Sequence, residues 1–150
     1  MIRSMLLILI LVSSLAYASQ GMGPGPGLGH SPRFENNGFE TTIDGWSSPW
    51  VRSSAYTSHA GAWVLYNNAS ISDTTKTVSC RSGNITLWYA NGGIPSGNYF
   101  QIDSNATILM PSSSSWAQIT VAVTAGIHTL KIHSSATSNF IIDDIQIPIP

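Results

Sequence analysis

The chain has 150 residues, of which 43% are hydrophobic and only 9% charged, with a formal net charge of −1. Beyond Arg3 the basic residues Arg33, Arg52, Lys76, Arg81 and Lys131 are scattered, so no electrostatic footprint for a nucleic acid forms. Cys80 is the single cysteine, which excludes an intrachain disulfide and a zinc site built on paired cysteines; a buried thiol is expected, with an intermolecular bridge as the alternative.

At the N-terminus Arg3 precedes an apolar run from Met5 to Leu15, broken only by Ser13 and Ser14, and Ala16-Tyr17-Ala18 fits the small-x-small rule for signal peptidase. A cleaved signal peptide over residues 1–18 is predicted, with a retained anchor as the alternative, and the protein is then secreted or displayed at the cell surface. The apolar run falls short of the roughly 20 residues of a membrane-spanning helix, so no membrane span remains after cleavage. Residues 19–33 form a Gly/Pro-rich arm in which Gly21, Gly23, Gly25, Gly27 and Gly29 alternate with Met22, Pro24, Pro26, Leu28 and His30. Extended, it would put every glycine on one hydrogen-bonding edge and the prolines on the other. Two readings follow: an assembly arm that adds to a sheet edge of another copy, with Met22 and Leu28 filling pockets, or an unstructured tail.

Residues 34–150 read as one domain of short strands, punctuated by Gly and Pro and filled with β-branched and aromatic residues. The predicted strands are 62–66, 76–79, 84–89, 99–102, 107–110, 117–123, 128–132 and 140–147. Eight or so antiparallel strands imply an all-β, two-sheet sandwich, most simply a jelly roll. Alternation turns Ile85, Leu87 and Tyr89 inward and Asn84, Thr86 and Trp88 outward. It likewise turns Phe100, Ile102, Ile119, Val121, Val123, Leu130 and Ile132 inward, with Tyr99, Gln101, Asp103, Thr129, Lys131 and His133 outward. One sheet face is therefore expected to gather Trp88, Tyr99, Gln101 and Asp103, offering aromatic planes to sugar rings and amide or carboxylate groups to their hydroxyls. Trp63 alternates with Leu65 and is assigned to the core.

Catalysis finds no support. There is no G-x-S-x-G elbow and no H-E-x-x-H pair, and His30, His59, His128 and His133 lack metal-ligand spacing. Asp143 and Asp144 are adjacent in a predicted strand and would point to opposite faces, so they could not flank one bond. Asn68, Asn84 and Asn105 head N-glycosylation sequons; a glycan on Asn84 would share the outward face of Trp88.

Six stretches follow one another in order: Asn37-Gly38-Phe39-Glu40 with Gly45-Trp46, Ser58-His59-Ala60-Gly61-Ala62-Trp63, Phe100-Gln101-Ile102-Asp103, Trp116 ahead of Ile119-Thr120-Val121, Ala125-Gly126-Ile127-His128-Thr129-Leu130, and Phe140-Ile141-Ile142-Asp143-Asp144-Ile145. Together they resemble the landmarks of jelly-roll carbohydrate-binding modules of the galactose-binding-like superfamily, over residues 36–147. The resemblance implies a non-catalytic recognition or adhesion module that binds a polysaccharide or cell-surface glycan through surface aromatics. It adds Trp50 and Tyr56 as candidates for an edge site, and it places Trp46 and Trp116 in the core and gives His128 a structural role. It also implies a structural calcium ion held by Glu40 and by Asp143 or Asp144, where first and last strands meet. The same superfamily serves as receptors, adhesins and structural modules, so a subunit of an extracellular fibre or matrix, joined through the arm, is the alternative.

Overall fold

The computed structural model describes residues 32–67, 71–92, 97–135 and 140–150, all within the second of two units into which the chain divides, Ser31–Pro150. Among them ten strands build two antiparallel sheets, and no helix is long and apolar enough to cross a membrane. The strands are β1 (Arg33–Asn37), β2 (Val51–Ser53), β3 (Val64–Tyr66), β4 (Ser72–Cys80), β5 (Gly83–Ala90), β6 (Tyr99–Ile102), β7 (Ile108–Leu109), β8 (Ala117–Val123), β9 (Gly126–Ser134) and β10 (Ile141–Ile149). One sheet runs β2-β3-β10-β5-β8, with β1 also paired to β10, and the other runs β4-β9-β6-β7. All eight predicted strands are present. The two that the pattern missed, β1 and β2, read Arg-Phe-Glu-Asn-Asn and Val-Arg-Ser and carry no apolar alternation.

Inward faces follow the alternation. Ile85, Leu87, Phe100, Leu130 and Ile132 are fully buried, and the outward Thr86, Trp88, Tyr99, Gln101 and Lys131 are half-buried. Each side chain taken fully out of water contributes about 1.5–3 kcal/mol, and the densest part of the core is aromatic. Trp46, Trp50, Phe39, Phe100 and Phe140 all lie within it. Trp50 is thus a core residue and not part of an edge site. It meets Phe140 edge-on at 5.3 Å and donates its indole N–H to Ser72 Oγ, because the loop after Trp46 folds inward between the sheets. Trp63 goes the other way: it is half-exposed, with the Arg52 guanidinium 3.9 Å above its ring. The Cys80 thiol is buried and unpaired, and burial pushes its pKa up.

β10 departs from regular alternation. Ile142, Ile145 and Ile147 all reach the core, yet Ile142 and Ile145 are three residues apart and would fall on opposite faces of a regular strand. A register shift between Asp143 and Gln146 absorbs the extra residue, with Asp144 in the left-handed region at φ 47°. Aspartate tolerates that conformation better than a bulky or β-branched residue.

The two sheets are tied at one end by Lys76 of β4. Its ammonium lies 2.5 Å from Glu35 Oε1 of β1 and 3.1 Å from Asn37 Oδ1, and it also donates to the Asp44 carbonyl. Asn37 Oδ1 accepts the Trp46 indole N–H as well. Burial opposes ionisation of Glu35, but hydrogen bonds from Lys76 and Asn37 outweigh it and hold the carboxyl below its ordinary range. A group with a lowered folded-state pKa contributes stability above its unfolded pKa and loses it as pH falls through the folded value. Lys76→Met is expected to cost about 1–3 kcal/mol at pH 7, read from denaturant melts, and the cost should shrink toward pH 3. An equal cost at both pH values would leave only the packing of the Lys76 stem.

Candidate functional site

The outer face of the β2-β3-β10-β5-β8 sheet carries a second apolar cluster. Val64, Ala90 and Ile141 are buried there beneath Tyr56, Tyr66 and Trp116. The register puts them opposite in parity to Leu65, Tyr89 and Ile142, which face the main core. Tyr56 and Tyr66 pack together at 4.7 Å between ring centroids. Trp88 stands on this same face, paired with Asp143 on one side and Gln118 on the other. His59 lies flat on its indole at 3.9 Å and 16°, and Trp116 meets the imidazole at 5.8 Å and 73°. The result is a corner whose floor is His59 backed by Trp88 and whose wall is Trp116. An exposed amide, Gln118, sits beside it.

The loop that delivers His59 is held by three carboxylates from the two ends of the domain. Asp143 Oδ2 accepts the backbone N–H groups of His59 and Ala60, and Asp143 Oδ1 accepts that of Asp144. Asp144 Oδ2 lies 2.5 Å from His59 Nδ1. Glu40 Oε1 accepts the N–H groups of Ala62 and Trp63, pressed against Gly61, where a Cβ would come within 2.1 Å of it. Gly61 also sits at φ 66°, so the site requires glycine. Adjacent strand residues ordinarily face apart, but the bulge turns Asp144 back toward the loop held by Asp143. Both aspartates therefore act on His59, against the sequence expectation.

These are the residues from which a calcium site was expected, and they do gather around one loop. Calcium wants six to eight hard oxygens, whereas here both oxygens of Asp143 and one each of Glu40 and Asp144 already serve N–H donors or the imidazole. Those donors point positive charge into the place a cation would take. Among the described residues no group of three or more His, Cys, Asp or Glu side chains is placed to hold a metal. As they stand, the carboxylates clamp a loop and do not fit a calcium ion.

Tyr99, Gln101 and Asp103 do not join Trp88. They belong to β6 or its end, in the other sheet, and so face the opposite side of the sandwich. Alternation fixes which way a side chain points within its strand but not which sheet the strand joins. Tyr99 stacks on His133 at 4.5 Å with the Lys131 ammonium 5.3 Å from its ring, and His133 pairs with Asp73 at 2.6 Å. Gln101 Nε2 donates to the Asn105 carbonyl. Asp103 binds His128 at 2.7 Å and the Thr129 N–H, and its hydrogen bond to His128 raises the imidazole pKa. Of the sequons, Asn84 and Asn105 are exposed, while Asn68, like Met22 and Leu28 of the arm, lies outside the described residues.

Trp116, which the resemblance placed in the core, instead stands half-buried on the outer face, and neither it nor His59 nor Tyr66 was foreseen as a site residue. Nothing local marks them: the stack of His59 on Trp88 joins residues 29 apart in sequence through the clamp from the last strand.

No family model and no curated protein matches this chain. Solved structures match it in fold. A family 35 carbohydrate-binding module from Cellvibrio japonicus is 19% identical at a TM-score of 0.55, over 77% of this chain and 92% of that one. The K3 cleaved adhesin domain of Lys-gingipain from Porphyromonas gingivalis is 14% identical at 0.54, over 77% of this chain and 98% of that one. A Paenibacillus cycloisomaltooligosaccharide glucanotransferase complexed with cycloisomaltoheptaose is 14% identical at 0.52; 78% of this chain matches, but only 18% of that enzyme's length. The fold is the β-sandwich that this carbohydrate-binding module and this adhesin domain share.

The clamp carries a pH signature. Burial pushes the Asp143 carboxyl up to about 6, against the pull of the Ala60, Asp144 and His59 N–H groups. A raised carboxyl takes up its proton in the folded state before the unfolded chain does, so its contribution to stability grows as pH falls from about 6 to about 4. The gap in melting temperature between wild type and Asp143→Asn is expected to widen over that window, and a constant gap would deny the raised pKa. Millimolar calcium should leave the melting temperature unchanged; a rise would show the carboxylates turning from N–H donors to a metal.

Proposed function

We propose that this domain is a secreted, non-catalytic glycan-recognition module, acting outside the cell or at its surface, and that the His59–Trp88–Trp116 corner is its binding site. The observation that carries the reading is the corner itself. Three aromatic rings, two of them half-buried and His59 exposed, are held on a sheet face that points away from the core. Keeping such rings at the surface forgoes burial that the core would reward, and a sugar ring laid on His59 against Trp116 recovers it. Gln118 and Asp144 border the corner with an amide and a carboxylate suited to ring hydroxyls. The Tyr99 face of the other sheet is weaker on the same grounds, since its single tyrosine is flanked by His133 and Lys131.

A glycan array and pull-down on insoluble polysaccharides test the reading, using protein from a host that does not glycosylate so that Asn84 is bare. Trp116→Ala and Trp88→Ala are each expected to weaken retention at least tenfold, about 1.4 kcal/mol, with thermal melts showing that both variants fold. Tyr99→Ala should bind within about twofold of wild type, less than ~0.5 kcal/mol. Retention lost in Tyr99→Ala but kept in Trp88→Ala would move the site to the other sheet, and no retained glycan at all would end the proposal.

A further inference from the structure

The sheet edges of the sandwich are not equally protected. β2 and β7 are three and two residues long, and β1 carries Arg33 and Glu35 along its length. β4 is long, but it carries Asp73 and Lys76, and its free edge is occupied at Thr75, whose carbonyl accepts the Ser47 N–H and whose N–H donates to Ser47 Oγ. β8 is the exception. Its seven residues, Ala117-Gln118-Ile119-Thr120-Val121-Ala122-Val123, pair with β5 along one edge through every position, and no described residue hydrogen-bonds to the other. It contains no charge, no proline and no bulge, the devices by which edge strands are ordinarily blunted. Beneath it the core thins, for Ile119 and Val121 are half-buried where Ile85 and Leu87 of β5 are fully covered.

We propose that β8 is a self-association surface, pairing antiparallel with β8 of a second copy of this chain about a two-fold axis through Thr120. The strand's own sequence names the partner. In that register all seven residues overlap, with Ile119 opposite Val121 and Ala117 opposite Val123 on the inner face, so the half-buried apolar row of each copy is capped by the same row of the other. On the outer face Thr120 meets Thr120 and Gln118 meets Ala122, and no like charges confront one another.

The exposed position on the dyad supplies the test. Analytical ultracentrifugation of the chain from residue 19 onward should show a monomer–dimer equilibrium. Thr120→Lys and Thr120→Glu, which bring like charges together at the axis, are each expected to weaken it at least tenfold, and an equimolar mixture of the two should restore dimers. Thr120→Cys should cross-link to a disulfide dimer on mild oxidation, with the buried Cys80 remaining reduced, whereas Ala122→Cys, facing Gln118 of the partner, should not. A chain that stays monomeric at millimolar concentration overturns the proposal. So does an assembly that survives both charge variants, and one that is instead lost on removal of residues 19–31 would belong to the arm.

Discussion

One strand with a residue too many governs the molecule. β10 is the hub of its sheet, pairing with β1, β3 and β5, and Ile142 and Ile145 can both reach the core only if the backbone between them leaves the regular pleat. Asp143 and Asp144 take up that irregularity. Because the extra residue is placed there, a buried carboxylate and its neighbour emerge together on the outer face and capture the loop that bears His59. A packing requirement inside the sandwich thereby sets an aromatic floor outside it. A straight strand would keep Asp143 but turn Asp144 inward, and the imidazole would lose the acceptor that holds it flat on Trp88.

Few charges in the chain are withdrawn from water, and two of them, Lys76 and Asp143, organise what surrounds them. Lys76 joins β4 to β1 by holding Glu35, Asn37 and the Asp44 carbonyl, and the Trp46 indole closes on the same asparagine. Asp143 has no cation beside it and is satisfied by N–H groups alone, which is why burial prevails and its pKa rises. The contrast follows from the partner: a full positive charge outweighs desolvation at Glu35, while three peptide dipoles do not at Asp143. The hydroxyl-rich surface leaves the remaining work to cross-strand pairs such as His128 with Asp103, exposed and correspondingly weak.

Period-two alternation made the fold class and most inward residues legible, because Ile85, Leu87, Phe100, Leu130 and Ile132 can be read one strand at a time. What it could not supply was sheet membership. Trp88 and Tyr99 have the same parity in their strands yet face opposite sides of the sandwich, since β5 pairs with β10 and β6 with β9. Trp50 failed for a related reason: a loop residue has no alternation to read, and its burial depends on Phe140, 90 positions away. β1 lacks any apolar pattern because the Lys76 network fixes one end of it and pairing with β10 the rest. The site residue His59 was visible only as part of a motif, and its role comes from a bulge that the spacing of Ile142 and Ile145 signals in retrospect.

The aromatic corner and the open β8 edge belong to the same sheet, and their combination has a geometric consequence. When two strands pair antiparallel within one sheet, the two-fold axis stands normal to the sheet, and residues directly opposite share a face. Two copies joined through β8 would therefore present both His59–Trp116 corners on the same side of one continuous sheet. β5 and its mate would lie three strand spacings apart, and Trp88 is level with Gln118, four residues from the position of its counterpart; the two indoles would be about 20 Å apart. That spacing matches a few sugar rings along an extended chain, so the second contact would form at high effective concentration once the first had bound. On the proposed reading a single corner of this size would hold a sugar only weakly, and a polymer of repeating rings is the kind of ligand on which two such corners facing the same way would act together.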